Sequence, residues 1–252
     1  MRNFSDETNE RINQINEHIS LIETRDGQSF TSDAYLLAAF ASTKPKATVV
    51  DLGGGSAVCS LLLADHKKAA HIYSLEIQAP LHALALRNVE YNKLGDHITP
   101  ICTDIRFIQK RSFSQPIDIV IANPPYFPNG TGRISPNDSK SAARFELNGG
   151  IYDFCAAASR ILEPEGQFFC VIRAERLPDL FSALRSVGLE PSLMTLVCHN
   201  VGAAPSIALI KATRHQFTQL KVTRPLYLYD GREKTAETKR IYEICSFEDF
   251  LK

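Results

Sequence analysis

Short apolar runs rich in β-branched and aromatic side chains alternate along the chain with stretches whose apolar residues recur at helical spacing. That alternation predicts an α/β fold in which a mostly parallel sheet is covered on both faces. The runs fall at 47–52 (ATVVDL), 71–77 (HIYSLEI), 98–104 (ITPICTD), 117–122 (IDIVIA), 166–174 (GQFFCVIRA), 191–198 (PSLMTLVC) and 206–213 (SIALIKAT), which makes seven strands. Between them Leu81, Leu84, Ala85 and Val89 keep a helical period, as do Phe154, Ala157, Ala158 and Ile161, and later Leu180, Leu184 and Val187. Only Asn200 to Pro205 separate the last two runs, too few residues for a helical crossover, so these two strands must pair antiparallel as a hairpin.

A seven-stranded, mostly parallel sheet ending in an antiparallel hairpin is the Rossmann-like architecture of class I S-adenosylmethionine (SAM)-dependent methyltransferases. A dehydrogenase-type sheet would close with another crossover. Architecture does not specify chemistry.

The polar and acidic opening, residues 1–28, reads as an extension ahead of one domain spanning 29–252. It lacks the basic-then-apolar order of a signal peptide, and no apolar stretch approaches 18 residues, so the expectation is a cytoplasmic protein without a membrane partner. A monomer is expected. Charge changes the picture only locally: 28 basic residues balance 28 acidic ones, which excludes a global field for polyanions. Segment 199–240, however, concentrates Lys211, Arg214, Lys221, Arg224, Arg232, Lys234, Lys239 and Arg240 against Asp230, Glu233 and Glu237. A solvated charged tail and a polyanion-facing patch both fit that composition. The six cysteines stand singly, without Cys-x-x-Cys or zinc-ligand spacing, and read as reduced core thiols with no metal site.

Candidate chemistry gathers at the predicted strand ends. Val49-Val50-Asp51-Leu52-Gly53-Gly54-Gly55 leaves the first strand for an apolar helix, putting glycines where ligands approach an open α/β sheet. The dinucleotide fingerprint wants a third Gly or Ala where this chain has Val58, which disfavours NAD. Glu76 ends the second strand, where a carboxylate can accept both hydroxyls of a ribose. Asp104 ends the third, either accepting from an adenine amino group while Ile105 packs on the ring, or capping the next helix. Three strand-end acids beside one glycine loop favour a SAM site over a plain turn. Asn123-Pro124-Pro125-Tyr126 then follows the fourth strand. The Asn123 side-chain oxygen and the Pro124 carbonyl can take both N–H bonds of a planar amine and stabilise the charge that develops on it. Tyr126 offers a stacking face, with Phe127 as a second wall. Pro-Pro is also an ordinary loop. The stretch to Phe145 carries Arg133, Lys140 and Arg144, placed to hold phosphates or to pin the loop. No His is recognisably paired with a nucleophile.

Taken in order, these motifs resemble the bacterial tRNA1(Val) (adenine(37)-N6)-methyltransferase family over about Phe30 to Tyr242, including Ser29 to Phe40, Leu75-Glu76-Ile77-Gln78, Asn88 to Leu94, Ala142 to Glu146 and Pro225 to Asp230. The resemblance implies SAM as cofactor and tRNA as substrate. It implies that Phe30 and Ser32 belong to a segment closing over the methionine part, that Asp51, Gly53 and Gly55 line that end, and that Glu76 with Ile77 holds the ribose. Asp104 with Ile105 is implied to hold the adenine, and Asn123 through Tyr126 the target amine. Two positions depart: many members carry a hydroxyl residue where this chain has Gly54, and Gly where it has Ala57, whose methyl is expected to crowd the cofactor. Competing activities with the same four-residue motif are methylation of a protein glutamine and of guanine N2 in ribosomal RNA. A SAM- or RNA-binding module without turnover is the non-enzymatic alternative.

Overall fold

Every residue of β3 (Thr48–Leu52) is buried, as expected of a parallel strand covered by helices on both sides. In the computed structural model, which describes residues 10–25, 32–124, 149–214 and 219–252, this strand lies inside a large sheet. β3 pairs in parallel with β4 (His71–Glu76) on one side and β6 (Ile117–Ala122) on the other. β5 (Ile98–Cys102) continues beyond β4. On the far side β6 is followed by β7 (Leu162–Arg173), then β9 (Pro205–Arg214), then β8 (Leu189–Asn200). β9 is antiparallel to both its neighbours, so the expected hairpin closes with its second strand inserted inside the first.

Helices α1 (Ser32–Phe40), α2 (Val58–Asp65) and α3 (Ala79–Tyr91) belong to one side of the chain's core, with Leu36, Leu37, Leu61, Leu62 and Leu63 buried against Val49, Ile72 and Ile121. Helices α4 (Ile151–Ile161) and α5 (Leu177–Ser186) bury Phe154, Ala158, Leu180 and Leu184 against Val50, Val120 and Phe168 of the opposite face. Alternate strand residues thus serve two cores.

Three expectations need correction. The sheet has ten strands among the described residues, because β10 (Lys221–Val222), β11 (Leu226–Asp230) and β12 (Glu233–Lys234) extend it past β8. Two of these are two residues long, too short to leave a period in the sequence. Second, within the polar extension, β1 (Glu10–Gln14) and β2 (Ser20–Thr24) form an antiparallel hairpin that buries Ile19, Leu21 and Ile22. Third, five cysteines are buried but Cys102 is exposed at the end of β5. No described helix is long and apolar enough to cross a membrane, and no described group of three or more His, Cys, Asp or Glu is arranged to hold a metal ion.

The C-terminus, α6 (Ala236–Ile244) and α7 (Glu248–Leu251), is tied back by one buried amine. Lys68 Nζ donates to the carbonyls of Ala38 (2.7 Å) and Ala39 (3.2 Å) near the end of α1 and of Cys245 (3.0 Å) after α6. Burial pushes its pKa below the usual lysine value. Lys68→Met leaves these carbonyls without the amine and is expected to cost roughly 3 kcal/mol, or roughly 6–12 °C in Tm, by thermal unfolding. A shift under one degree would show that water replaces the amine.

Candidate active site

Register brings the strand-end residues together. Leu52 of β3 lies opposite Leu75 of β4 and Ala122 of β6, and Glu76 lies opposite Cys102 of β5. Gly53, Glu76 and Asn123 therefore leave adjacent strands at one level, with Thr103 and Asp104 just beyond. This is the carboxyl edge of the sheet, where open α/β folds bind ligands.

The loop after β3 is held by its neighbours. Gly53 and Gly55 adopt φ of 67° and 57°, which glycine adopts without steric cost. A Cβ on Gly53 would also press on the Phe154 ring of α4 at 3.2 Å, whereas one on Gly55 would meet nothing within 4 Å. The open side of the loop is thus at Gly55. Glu76, 5% exposed, accepts from the N–H groups of Gly55 (3.0 Å) and Gln78 (2.8 Å). It braces the loop and retains further acceptor capacity on both oxygens. Ile77 follows it, half-buried.

Asp51 is buried and accepts from the Ser60 hydroxyl of α2 at 2.8 Å. Desolvation raises its pKa to about 7, the Ser60 hydrogen bond opposing and nearby Glu76 adding to the shift. A cationic ligand favours its ionised form. Beside it, the buried Ser74 hydroxyl has no hydrogen-bond partner among the described residues. A Cβ on Gly54 would collide with that hydroxyl and stand 3.2 Å from Asp51 Oδ2. Gly54 is therefore the residue that Ser74 permits. Ala57 corrects an expectation: it sits at φ 70°, and its methyl is buried in the core cluster rather than crowding the open side. Its cost is backbone strain of roughly 1–2 kcal/mol.

Other sequence candidates are placed differently. Asp104 is occupied by Arg106, accepting from its backbone N–H (2.9 Å), Nε (2.9 Å) and Nη2 (2.5 Å). The arginine holds its carboxyl below the ordinary range. A turn cap and an ion pair thus already use the acid proposed for adenine. Ile105 is 5% exposed and packs in the core cluster beneath the loop, while the exposed apolar side chain here is Phe107, 76% exposed. Ser32 opens α1 and donates to Asp33 at 3.3 Å; the Cys59 thiol on Ala34 O sets this helix start against that of α2. Asn123 is half-buried and Pro124 buried directly after β6. Phe30, Pro125, Tyr126, Phe127, Arg133, Lys140 and Arg144 lie outside the described residues.

Segment 199–240 is mostly committed within the fold rather than a free basic tail. Arg214 donates to the carbonyls of Ser159 and Leu162, and Arg224 pairs with Glu237 over the Phe250 ring. Lys211 lies over Phe169 and Lys234 over Tyr242, while Lys239 and Arg240 face acids. Lys221 and Arg232 remain exposed. Ser60, Ser74 and Phe107 are missed in the sequence and Phe154 is read only as part of a helical period, because their roles depend on contacts across the fold.

Two outcomes test this geometry. Because Asp51's folded pKa is raised, its contribution to stability is present below the ordinary carboxylate range and is lost as pH rises through about 7. A cationic ligand at this edge draws on the ionised form, so its affinity should instead rise through that pH. Asp51→Asn should raise the ligand-free Tm at pH 8 by roughly 2–4 °C and flatten the pH dependence of SAM affinity in titration calorimetry. In a double-mutant cycle, Gly54→Ala should weaken SAM binding and lower Tm, with Ser74→Gly restoring both; additive losses would refute the predicted collision.

Residues 37–128 match the family model described as the TRM5/TYW2 methyltransferase domain. Among solved structures, a predicted O-methyltransferase from Agrobacterium tumefaciens superposes with TM-score 0.68 at 20% identity, covering 85% of this chain and 97% of that one. M. jannaschii TYW2 in complex with AdoMet superposes with TM-score 0.54 at 16% identity, covering 82% and 87%. These likenesses show the class I SAM-dependent methyltransferase fold. Two relatives named tRNA1(Val) (adenine(37)-N6)-methyltransferase align at higher sequence identity: that of Shewanella halifaxensis is 28% identical over 91% of this chain and 95% of its own length. That of Dyadobacter fermentans is 30% identical over 79% of this chain and 81% of its own. With this coverage on both sides, the chain belongs to the tRNA1(Val) (adenine(37)-N6)-methyltransferase family.

Proposed function

We propose that the protein transfers a methyl group from SAM to the exocyclic N6 of adenine 37 in the anticodon loop of a valine tRNA in the cytoplasm. The observation that carries this reading is the pairing of Leu52 with Ala122, which sets the cofactor loop and Asn123-Pro124 side by side on adjacent strands. The relatives' names supply the tRNA and the nucleotide.

The residues present fit SAM. Two positive-φ glycines give a close backbone approach with open space at Gly55, and the carboxylates of Asp51 and Glu76 suit an ammonium group and ribose hydroxyls. Bound SAM supplies an electrophilic methyl on a sulfonium. The amine needs orientation more than deprotonation, because its lone pair is delocalised into the ring. The Asn123 side-chain oxygen and the Pro124 carbonyl accept its two N–H bonds, turn the lone pair out of conjugation and stabilise the positive charge arising on nitrogen, which then releases one of its two protons to solvent. Pro124 has no N–H to compete for the same acceptors. One preorganised dipole of this kind is worth roughly 3–4 kcal/mol. The Tyr126 ring supplies the stacking surface, and Arg133, Lys140 and Arg144 hold phosphates around the loop. An anticodon loop is single-stranded, so presenting its base costs less than extruding one from a duplex.

Labelled-methyl transfer to an unmodified valine tRNA transcript, followed by nucleoside analysis, should yield N6-methyladenosine, lost when adenine 37 is replaced by guanine. Label confined to guanosine or to protein would refute the assignment. Asn123→Ala should lower kcat roughly 100-fold or more while SAM affinity stays within about threefold.

A further inference from the structure

The outer edge of β2 is read by two asparagines four residues apart, Asn88 in the last turns of α3 and Asn92 at its C-terminal cap. Asn92 Oδ1 accepts from the Ser20 N–H (3.0 Å) and its Nδ2 donates to the Ser20 carbonyl (2.8 Å). Asn88 Oδ1 accepts from the Ile22 N–H (2.7 Å) and its Nδ2 donates to the Ile22 carbonyl (3.3 Å). The spacing matches, because four helical residues rise about 6 Å and two strand residues about 6.8 Å. Side-chain amides thus stand in for a neighbouring strand and satisfy the edge of the hairpin.

The two asparagines differ in their remaining contact. Asn92 Nδ2 also donates to the carbonyl of Asn88 within its own helix (2.8 Å). Asn88 Nδ2 also donates to the carbonyl of Ser56 (3.1 Å) in the cofactor loop. Ser56 lies between Gly55, whose N–H is held by Glu76, and Ala57, which is held in the left-handed region. Asn88 is fully buried, so none of these bonds exchanges readily with water.

We propose that Asn88 is a positioning residue for the cofactor loop, making docking of the N-terminal hairpin and binding of SAM mutually reinforcing. The hairpin fixes the amide of Asn88, the amide fixes the Ser56 carbonyl, and the adjacent Gly55 is then aligned with Glu76. Linkage requires reciprocity, so SAM must in turn steady the hairpin. The inference rests on the SAM part of the function proposed above and is independent of the RNA.

Asn88→Asp keeps an acceptor for Ile22 but removes the donor to Ser56; Asn92→Asp makes the equivalent change at Ser20 without touching the loop. Equilibrium dialysis with labelled SAM should give a Kd at least tenfold weaker for Asn88→Asp and within twofold of wild type for Asn92→Asp, although both lower Tm. In steady state, Asn88→Asp should raise the KM for SAM and leave kcat near wild type. Equal Kd shifts in the two variants, or none in either, would overturn the proposal by reducing Asn88 to hairpin support. Should Asn88→Asp fail to fold, hydrogen exchange on the wild-type chain decides: SAM should slow exchange at the Ile22 amide, and an unchanged rate overturns the coupling. If wild type binds no SAM, the cofactor reading itself fails, distinguishable from the case in which it binds and the coupling is absent.

Discussion

The alignment of strand ends is the constraint on which the site depends. Side chains alternate faces along a strand, so a one-residue slip of β4 against β3 would turn Ser74 and Glu76 to the opposite face from Asp51. Glu76 could then no longer reach the Gly55 N–H, and the loop would lose its brace. The register is protected by burial rather than by turn chemistry. Val49, Val50 and Leu52 insert into two different cores, and a slip would send each into the wrong one.

The same edge is where the fold accepts unfavourable local structure. Asp51 is a buried carboxylate whose pKa is raised by desolvation, Ala57 adopts a left-handed backbone, and Ser74 leaves a hydroxyl without a described partner. Each opposes folding, and all three lie within or beneath the glycine loop at the carboxyl edge of the sheet. Their concentration is what a ligand-binding edge requires, since groups fully satisfied within the protein have less to gain from a ligand. Stability is recovered elsewhere, in continuous apolar strands and in connections such as Lys68.

The central strands were legible because burial on both faces makes them nearly continuous apolar runs, and the hairpin because so short a connection allows nothing else. The glycine loop, Glu76 and Asn123 were legible because strand ends locate them. The N-terminal hairpin was not: its apolar residues are few, and its partners Asn88 and Asn92 are remote in sequence. Nor does composition reveal how charges are used. Segment 199–240 reads as a basic patch by count, yet Arg214 points at backbone carbonyls and Arg224 lies between Glu237 and Phe250. Asp104 read equally well as an adenine acceptor or a helix cap; a turn rather than a helix follows it, and its carboxylate accepts from Arg106 within that turn.

Positions 54 and 57 acquire different meanings in three dimensions. At 57 the alanine methyl is buried in the core, so apolar contact offsets part of the backbone strain. At 54 a glycine stands beside a buried hydroxyl on the adjacent strand that occupies the room a side chain would need. Position 54 therefore cannot be judged without position 74. A serine placed at 54 would meet Ser74 first, and its effect would report on that collision before anything else.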